Sequence, residues 1–249
     1  MHIAILLVAL IIFVTSLGSA AFGFGGGIVA IPLLTLVIGV RDAVTLEMIF
    51  GAFSWLMLVN SYKYINWKIA LAMTPGLLIG TVMGTLLVPR VSVTFLELFL
   101  ASSILVFLAK ILFFDRLNLG FVAGSKLQSS SVGLAGGLIQ GLIGTSGPLL
   151  AMYLSVATPR KNEFRATLIY LLFVVSLIRV CTSISQGLVT THLLKTALII
   201  SPLVLIAMIG GYYLQYKMSD RYYRIGVCTL LLVSAIGLIL QSAGSSLSL

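Results

Sequence analysis

Two glycine-rich interruptions of apolar sequence are the features best suited to bind a ligand. The first spans Gly23 to Gly27, and the second runs from Gly141 to Pro148. A glycine cluster disfavours a continuous helix, because each glycine costs about 1 kcal/mol relative to alanine. In hydrocarbon, non-helical backbone is tolerated only where protein covers it or a water-filled cavity lies beside it. We therefore expect the two breaks to form a substrate site; close helix packing is the alternative explanation of the glycines.

Both breaks are expected to present backbone N–H groups to a ligand. A helix that begins after each break has unsatisfied N–H groups in its first turn and the positive end of its dipole beside them, which together favour an anion. Pro148 suits the first turn of the second such helix. The side chain of Thr145 or Ser146 is expected to cap that helix. The predicted substrate-binding residues at the breaks are Gly25, Gly26, Gly27, Thr145, Ser146 and Gly147.

Arg179 is the one basic residue well inside an apolar run, residues 164–187. An arginine at the centre of a bilayer costs at least about 2.5–3.5 kcal/mol, so it is expected to face a cavity or a partner. Anion binding is one interpretation. Snorkelling to the interface, or a structural pair with Glu47 or Glu97, is the other. Ser176 lies one turn before Arg179 on the same helical face and joins the predicted binding residues.

Asn60 is also predicted to bind substrate, since it falls near the position that corresponds to Arg179 in the other half of the chain. The alternative interpretation of Asn60 is an interfacial polar residue beside Tyr62 and Tyr64.

Two carboxylates, Glu47 and Glu97, each lie about one turn into an apolar run. Either could carry a proton, but the sequence favours a simple interaction with the positive end of a helix dipole. There is no Ser–His–Asp set, no pair of central carboxylates and no zinc-binding motif. We therefore predict no catalytic residue, no metal ligand and no cofactor, and the protein is not expected to be an enzyme.

The composition dictates the environment that must hold these residues. The 249 residues are 60% hydrophobic and 8% charged, and the mean hydropathy is +1.19. A soluble domain is nearer half apolar and a quarter charged. This composition excludes an ordinary soluble enzyme, a disordered chain and a disulfide scaffold, and it predicts an all-α polytopic membrane protein. The net charge of +9 is attributed to cytoplasmic loops rather than to a nucleic-acid partner.

Ten apolar segments are predicted to be helical, and they make eight crossing elements if each broken pair is counted once. The N-terminal segment is expected to be retained rather than removed as a signal peptide, because it lacks a positively charged leading region. The segments are residues 3–22, 28–40, 43–62, 69–88, 94–114, 129–143, 148–157, 164–187, 193–215 and 222–241.

The chain repeats itself. Gly27 and the apolar residues after it match Gly147 and its followers, and Thr74-Pro75 before Gly84 matches Ser201-Pro202 before Gly211. Each half has an apolar run, a glycine-rich break, a short apolar run and three long runs. The predicted divisions are a first repeat (1–116), a connecting loop (117–127), a second repeat (128–242) and a short tail (243–249).

The distribution of basic residues predicts how the repeats face. If each broken segment returns to the side of the membrane where it started, the halves are inverted. Eleven basic residues then lie on one side of the membrane and three on the other. If each broken segment crosses instead, the division is 8 against 6. The positive-inside rule favours the first arrangement, with both termini outside. The eleven residues on the cytoplasmic side are Lys63, Lys68, Lys110, Arg116, Lys126, Arg160, Lys161, Arg165, Lys217, Arg221 and Arg224.

The segment GFGGGIVAIPLL, residues 23–34, resembles the first motif of the sulfite exporter TauE/SafE family of membrane transporters. The segment GLIGTSGPLLAMYL, residues 141–154, is similar to a second copy, although Thr145-Ser146 stands where glycines are common and Met152 where a proline is usual. This resemblance implies export of small anions such as sulfite, sulfonates or related carboxylates.

The sequence as a whole predicts a secondary transporter of a small anion. The anion would bind between the two breaks, in a site that opens alternately to the two sides of the membrane. A coupling proton or sodium ion is a further expected partner, beside the lipid bilayer of a bacterial-type inner membrane. A passive anion channel, or a membrane accessory subunit without transport of its own, is the alternative.

Overall fold

The computed structural model describes residues 2–22, 26–113, 126–158 and 160–214. Within these ranges every regular element is a helix, so the prediction of an all-α protein is confirmed there. The predicted segment 222–241, the tail and most of the connecting loop lie outside the described residues, and so does Gly25.

The helices of the first half follow the predicted order. The run predicted as residues 43–62 is interrupted by a 3₁₀ turn, Ala52–Ser54, so it forms two α-helices instead of one. Further 3₁₀ turns follow at Tyr62–Tyr64 and Val88–Arg90. The α-helices are α1 (His2–Phe22), α2 (Gly26–Ile38), α3 (Val40–Gly51), α4 (Trp55–Ser61), α5 (Trp67–Leu87) and α6 (Val93–Phe113).

The described part of the second half has the same order of elements. A long helix ends at a glycine-rich break, a short helix follows, and longer helices come next. These helices are α7 (Lys126–Ile143), α8 (Gly147–Ala157), α9 (Lys161–Ser185) and α10 (Thr191–Leu214).

Several of these helices suit a bilayer. Four stretches of the described residues are long and apolar enough to cross a membrane, and α1, α2 and α6 contain shorter apolar stretches. Large apolar side chains such as Leu10, Ile79 and Ile206 are exposed on the outer surface, as expected for a surface in contact with lipid. The four long stretches are Val40–Val59, Trp67–Arg90, Asn162–Ser185 and Thr191–Tyr213.

Glycines let helices from the two halves pack backbone to backbone. A Cβ on Gly80 would collide with the Leu134 carbonyl oxygen of α7, and a Cβ on Gly137 would collide with the Leu77 carbonyl oxygen of α5. In lipid, no hydrophobic effect drives apolar helices together, so their association depends on van der Waals contact, which this close approach of the backbones provides. The glycines that form this α5–α7 seam are Gly76, Gly80, Gly84, Gly133, Gly137 and Gly141.

A second contact between the halves joins α1 and α10. There Gly211 lies so close to α1 that a Cβ would collide with the Leu17 carbonyl oxygen. In both contacts the first helix of one half packs against a later helix of the other half. The helix after each break packs on the helix that follows it: α2 on α3, and α8 on α9.

Candidate functional site

A cavity of about 90 Å³ lies where the two breaks meet. This volume far exceeds the roughly 10–15 Å³ that one water molecule requires, so it suits a small ion with some water. The wall combines apolar side chains with hydroxyl groups, backbone and one carboxylate. The residues used below that line it are Ser16, Ser19, Gly26, Gly27, Glu47, Gly51, Gln140, Gly144, Thr145, Gly147 and Ser176.

The two breaks contact each other directly. A Cβ on Gly27 would lie 3.4 Å from the Gly144 carbonyl oxygen, and a Cβ on Gly147 would lie 3.8 Å from Cδ1 of Ile28. The breaks are far apart in sequence, yet both line the same cavity. The sequence prediction that Gly26, Gly27 and Gly147 lie together is therefore met in the structure.

Gln140 shapes the second break through three hydrogen bonds. Its Nε2 donates to the Gly144 carbonyl oxygen at 2.9 Å, and its Oε1 accepts from the Ser146 N–H at 2.6 Å and from the Ser146 hydroxyl at 2.9 Å. Gly144 reverses the chain there with a φ of 80°, a value that a residue with a Cβ rarely adopts. The side chain of Gln140 thus replaces the hydrogen bonds that a continuous helix would have made.

Helix α8 begins without the predicted side-chain cap. Ser146 occupies the capping position, but its hydroxyl group bonds Gln140 and caps nothing. The hydroxyl group of Thr145, at the cavity wall, does not cap the helix either. The backbone bonds into α8 start with Leu150 N–H to the Ser146 carbonyl oxygen. The first turn, with Pro148 in it as predicted, is therefore left without a cap from its own side chains.

Arg179 is buried behind the second break and is not one of the residues that line the cavity. Only 2% of it is exposed, and its Nε and Nη1 have no hydrogen-bond partner among the described residues. Nη1 lies 2.8 Å from the point that a Cβ on Gly144 would occupy. Snorkelling to the interface is therefore wrong for this side chain. A buried cation with unused donors is costly, and it needs an anionic partner to offset that cost.

Glu47 has the only carboxyl group among the described residues of the cavity wall. It lies about two turns into α3, and helix-dipole effects fade within the first turn, so the dipole interpretation of Glu47 is wrong. A Cβ on Gly27 would come 2.9 Å from its Oε1. Glu47 and Arg179 interact electrostatically, but no ion pair within 4.0 Å joins them in the described part of the chain.

The remaining predicted binding residues divide into two groups. Ser176 lines the cavity, and its Oγ lies 2.7 Å from the point that a Cβ on Gly51 would occupy. Asn60 belongs to α4, but its side chain lies outside what the structure describes, as does the whole of Gly25.

Sequence reasoning missed Gln140 and the hydroxyl groups of α1. Gln140 had a recognisable signal, since it is a lone amide between the glycines of α7 and directly precedes Gly141. Ser16 and Ser19 had a signal too, because they lie three residues apart in a mostly apolar helix.

The cavity therefore offers hydroxyl groups and the first turn of a helix, and a guanidinium lies nearby. Such groups hydrogen-bond and neutralise a small anion.

Comparison with known proteins agrees with a transport role. A curated relative from Cupriavidus necator, named probable sulfite/organosulfonate exporter TauE, is 27% identical over 204 residues, which cover 78% of this chain and 74% of the relative. No solved structure matches the chain significantly. The family model described as sulfite exporter TauE/SafE matches residues 8–238. The chain belongs to this family of membrane transporters.

Proposed function

We propose that the protein is a secondary transporter that exports a small anion, namely sulfite, a sulfonate or a related carboxylate, by alternating access through the cavity between the two breaks. The observation that carries the proposal is Arg179, whose Nε and Nη1 are buried beside the second break without a partner. A sulfonate or carboxylate would supply acceptors for these donors, and hydrogen bonds from a guanidinium to such anions are charge-assisted and strong.

The size and lining of the cavity favour a compact substrate. A volume of about 90 Å³ has room for a small sulfonate. Hydroxyl groups from Ser16, Ser19, Thr145 and Ser176 would satisfy the remaining oxygens of such a ligand. The glycines on the wall have no side chain to fill the space, so the ligand would reach the backbone.

Alternating access requires two halves that move against each other, and we propose inverted repeats with the boundaries 1–116 and 128–242. Support comes from the matching contacts between the two halves. Helix α5 of the first half packs on α7, the first helix of the second half, just as α10 of the second half packs on α1, the first helix of the first half. Support also comes from the basic residues, which divide 11 against 3 only when each break returns to its own side. The proposed location is a bacterial-type inner membrane, with both termini outside.

The first prediction is that Arg179 holds the anion. In purified protein, a panel of sulfite, thiosulfate, sulfoacetate, sulfolactate, lactate and methanesulfonate is screened by thermal shift, since a bound ligand raises the apparent stability. For the best ligand, Arg179→Ala should lower the affinity by at least about 100-fold, because it removes two charge-assisted hydrogen bonds. Arg179→Lys should recover part of it, because an ammonium lacks the bidentate geometry.

Arg160→Ala is the matched control, because Arg160 is an exposed arginine directly before α9 whose partner is Glu163. It should bind like the wild type. Equal affinity in Arg179→Ala and the wild type would refute the anion site. Transport by reconstituted protein distinguishes the alternative of a passive channel, because only a carrier is accelerated by substrate on the opposite side.

A further inference from the structure

The carboxylate of Glu47 faces the same space as the proposed substrate. Among the described residues that line the cavity it is the only titratable side chain. One of its oxygens lies against Gly27 of the first break, and the other lies 3.9 Å from the point that a Cβ on Gly51 would occupy. Glu47 therefore reaches the first break, as Arg179 reaches the second.

Arg179 is the charge that faces Glu47. It projects from α9, and the attraction between the two groups acts across more than 4.0 Å, since no closer ion pair joins them in the described ranges. The other elements packed on α3 add no charge to this interaction. Helix α2 and the turn Ala52–Ser54 have no titratable residue, and the His192 side chain of α10 interacts with Asp42 instead. Lys195 of α10 and Glu97 of α6 do not act on Glu47.

One cation can neutralise one anion at this site. In the empty site the carboxylate of Glu47 provides the counter-charge for Arg179. An anion that hydrogen-bonds Arg179 past Gly144, which lines the cavity, takes over that role and places a second negative charge near Glu47. Two like charges at close range in a poorly hydrated site disfavour ionisation of both, so one of the two groups gains a proton. A sulfonate stays ionised, which leaves Glu47 as the group that is protonated.

We propose that Glu47 carries a proton that is transported together with the anion. This inference rests on the proposed function, and it assigns the coupling ion at the same site. One proton binds the Glu47 carboxylate from the side to which the cavity is open, and it leaves on the other side when the anion leaves. The charge of the site is the same when empty and when loaded with a monoanion, so each cycle moves no net charge.

The test is the number of protons bound with methanesulfonate, which keeps a single charge at all the pH values used. Isothermal titration calorimetry in buffers of different ionisation enthalpy gives this number for the purified wild type. We expect uptake of about one proton per anion where Glu47 is ionised in the empty site. Over that range the dissociation constant should rise about tenfold per pH unit. Glu47→Gln should bind without proton uptake, and its affinity should not change with pH.

Glu97→Gln is the matched control, because Glu97 is a buried carboxylate of α6 that does not line the cavity. It should take up protons as the wild type does. If the wild type binds methanesulfonate with no proton uptake, or binds it only with sodium, the role of Glu47 is refuted and the anion site stands. If the wild type binds no anion of the panel, the proposed function itself fails. The wild-type measurement decides both cases even if a variant does not fold.

Discussion

Glycine serves two different purposes in this chain, in the α5–α7 seam and at the two breaks. In the seam, the glycines recur every fourth residue within continuous helices, and backbone from the opposite helix occupies the space where each Cβ would be. At the breaks, the glycines interrupt the helices, and Gly147 has nothing closer than Ile28 at 3.8 Å from the position of its Cβ. The same residue type thus closes one interface and leaves a cavity open at another.

The difference shows which glycine patterns indicate a site. A period of four keeps all the glycines on one helical face, which is useful only if another helix packs on that face. A cluster without that period leaves polar backbone unsatisfied, and the cluster is tolerable only if other groups bond that backbone. Gln140 does so at the second break. Variants that add a side chain at each kind of glycine test this distinction.

The largest effect is expected in the seam. Gly137→Val should prevent α5 and α7 from packing, because the new Cβ would collide with backbone atoms of Leu77 and Thr81 that cannot rotate away. Overpacking typically costs 1–3 kcal/mol, and a clash with backbone should reach about 3 kcal/mol or more. The measurement is the yield of monodisperse protein and its thermal unfolding temperature.

Ala135→Val is the control for the seam, since it enlarges an exposed residue of the same helix. It should leave the yield and the unfolding temperature unchanged. If both variants fold equally well, the close contact between α5 and α7 does not hold the two halves together.

A large effect of a different kind is expected at the breaks. Gly147→Val should fold, because a Cβ has room there, but its methyl groups would enter the cavity beside the first turn of α8. The affinity for the anion should fall at least about tenfold, equivalent to 1.4 kcal/mol. The affinity is measured by calorimetry per folded molecule.

Gly210→Val provides a matched comparison for Gly147→Val. A Cβ on Gly210 would meet Leu17 at 3.9 Å, so the new side chain has similar room, but Gly210 does not line the cavity. It should keep wild-type affinity. Gly26→Val is less informative, since its Cβ would press on the Ser19 side chain at 2.8 Å and so disturb α1 as well. A comparable loss of affinity at Gly147 and Gly210 would mean that the anion binds elsewhere.

The helices follow from the sequence because they depend on local composition, and the meeting of the breaks was expected from the matching order of segments in the two halves. Long apolar runs fix the helices, and glycine clusters fix where they stop. The depth of Glu47 in its helix did not follow, because α3 begins at Val40, before the apolar run itself starts, and this places the carboxylate about a turn deeper. The Gln140 bonds did not follow either, since they depend on how the chain folds back after Gly144.

The smallest effect is expected for the hydroxyl group of Ser176. This hydroxyl group makes no hydrogen bond within the described ranges, so it is free to donate to an anion in the cavity. A typical hydrogen bond contributes a net 0.5–1.5 kcal/mol, so Ser176→Ala should weaken binding about two- to tenfold. Ser176→Cys keeps the size but provides a much weaker donor, so it should behave like the alanine variant.

The same calorimetric titration measures both variants. Ser155→Ala is the control, because Ser155 is exposed on α8 and its hydroxyl group donates to the Met152 carbonyl oxygen. If Ser176→Ala binds as tightly as Ser155→Ala, the anion does not reach α9 one turn before Arg179, and the guanidinium must bind it from the side of Gly144 alone.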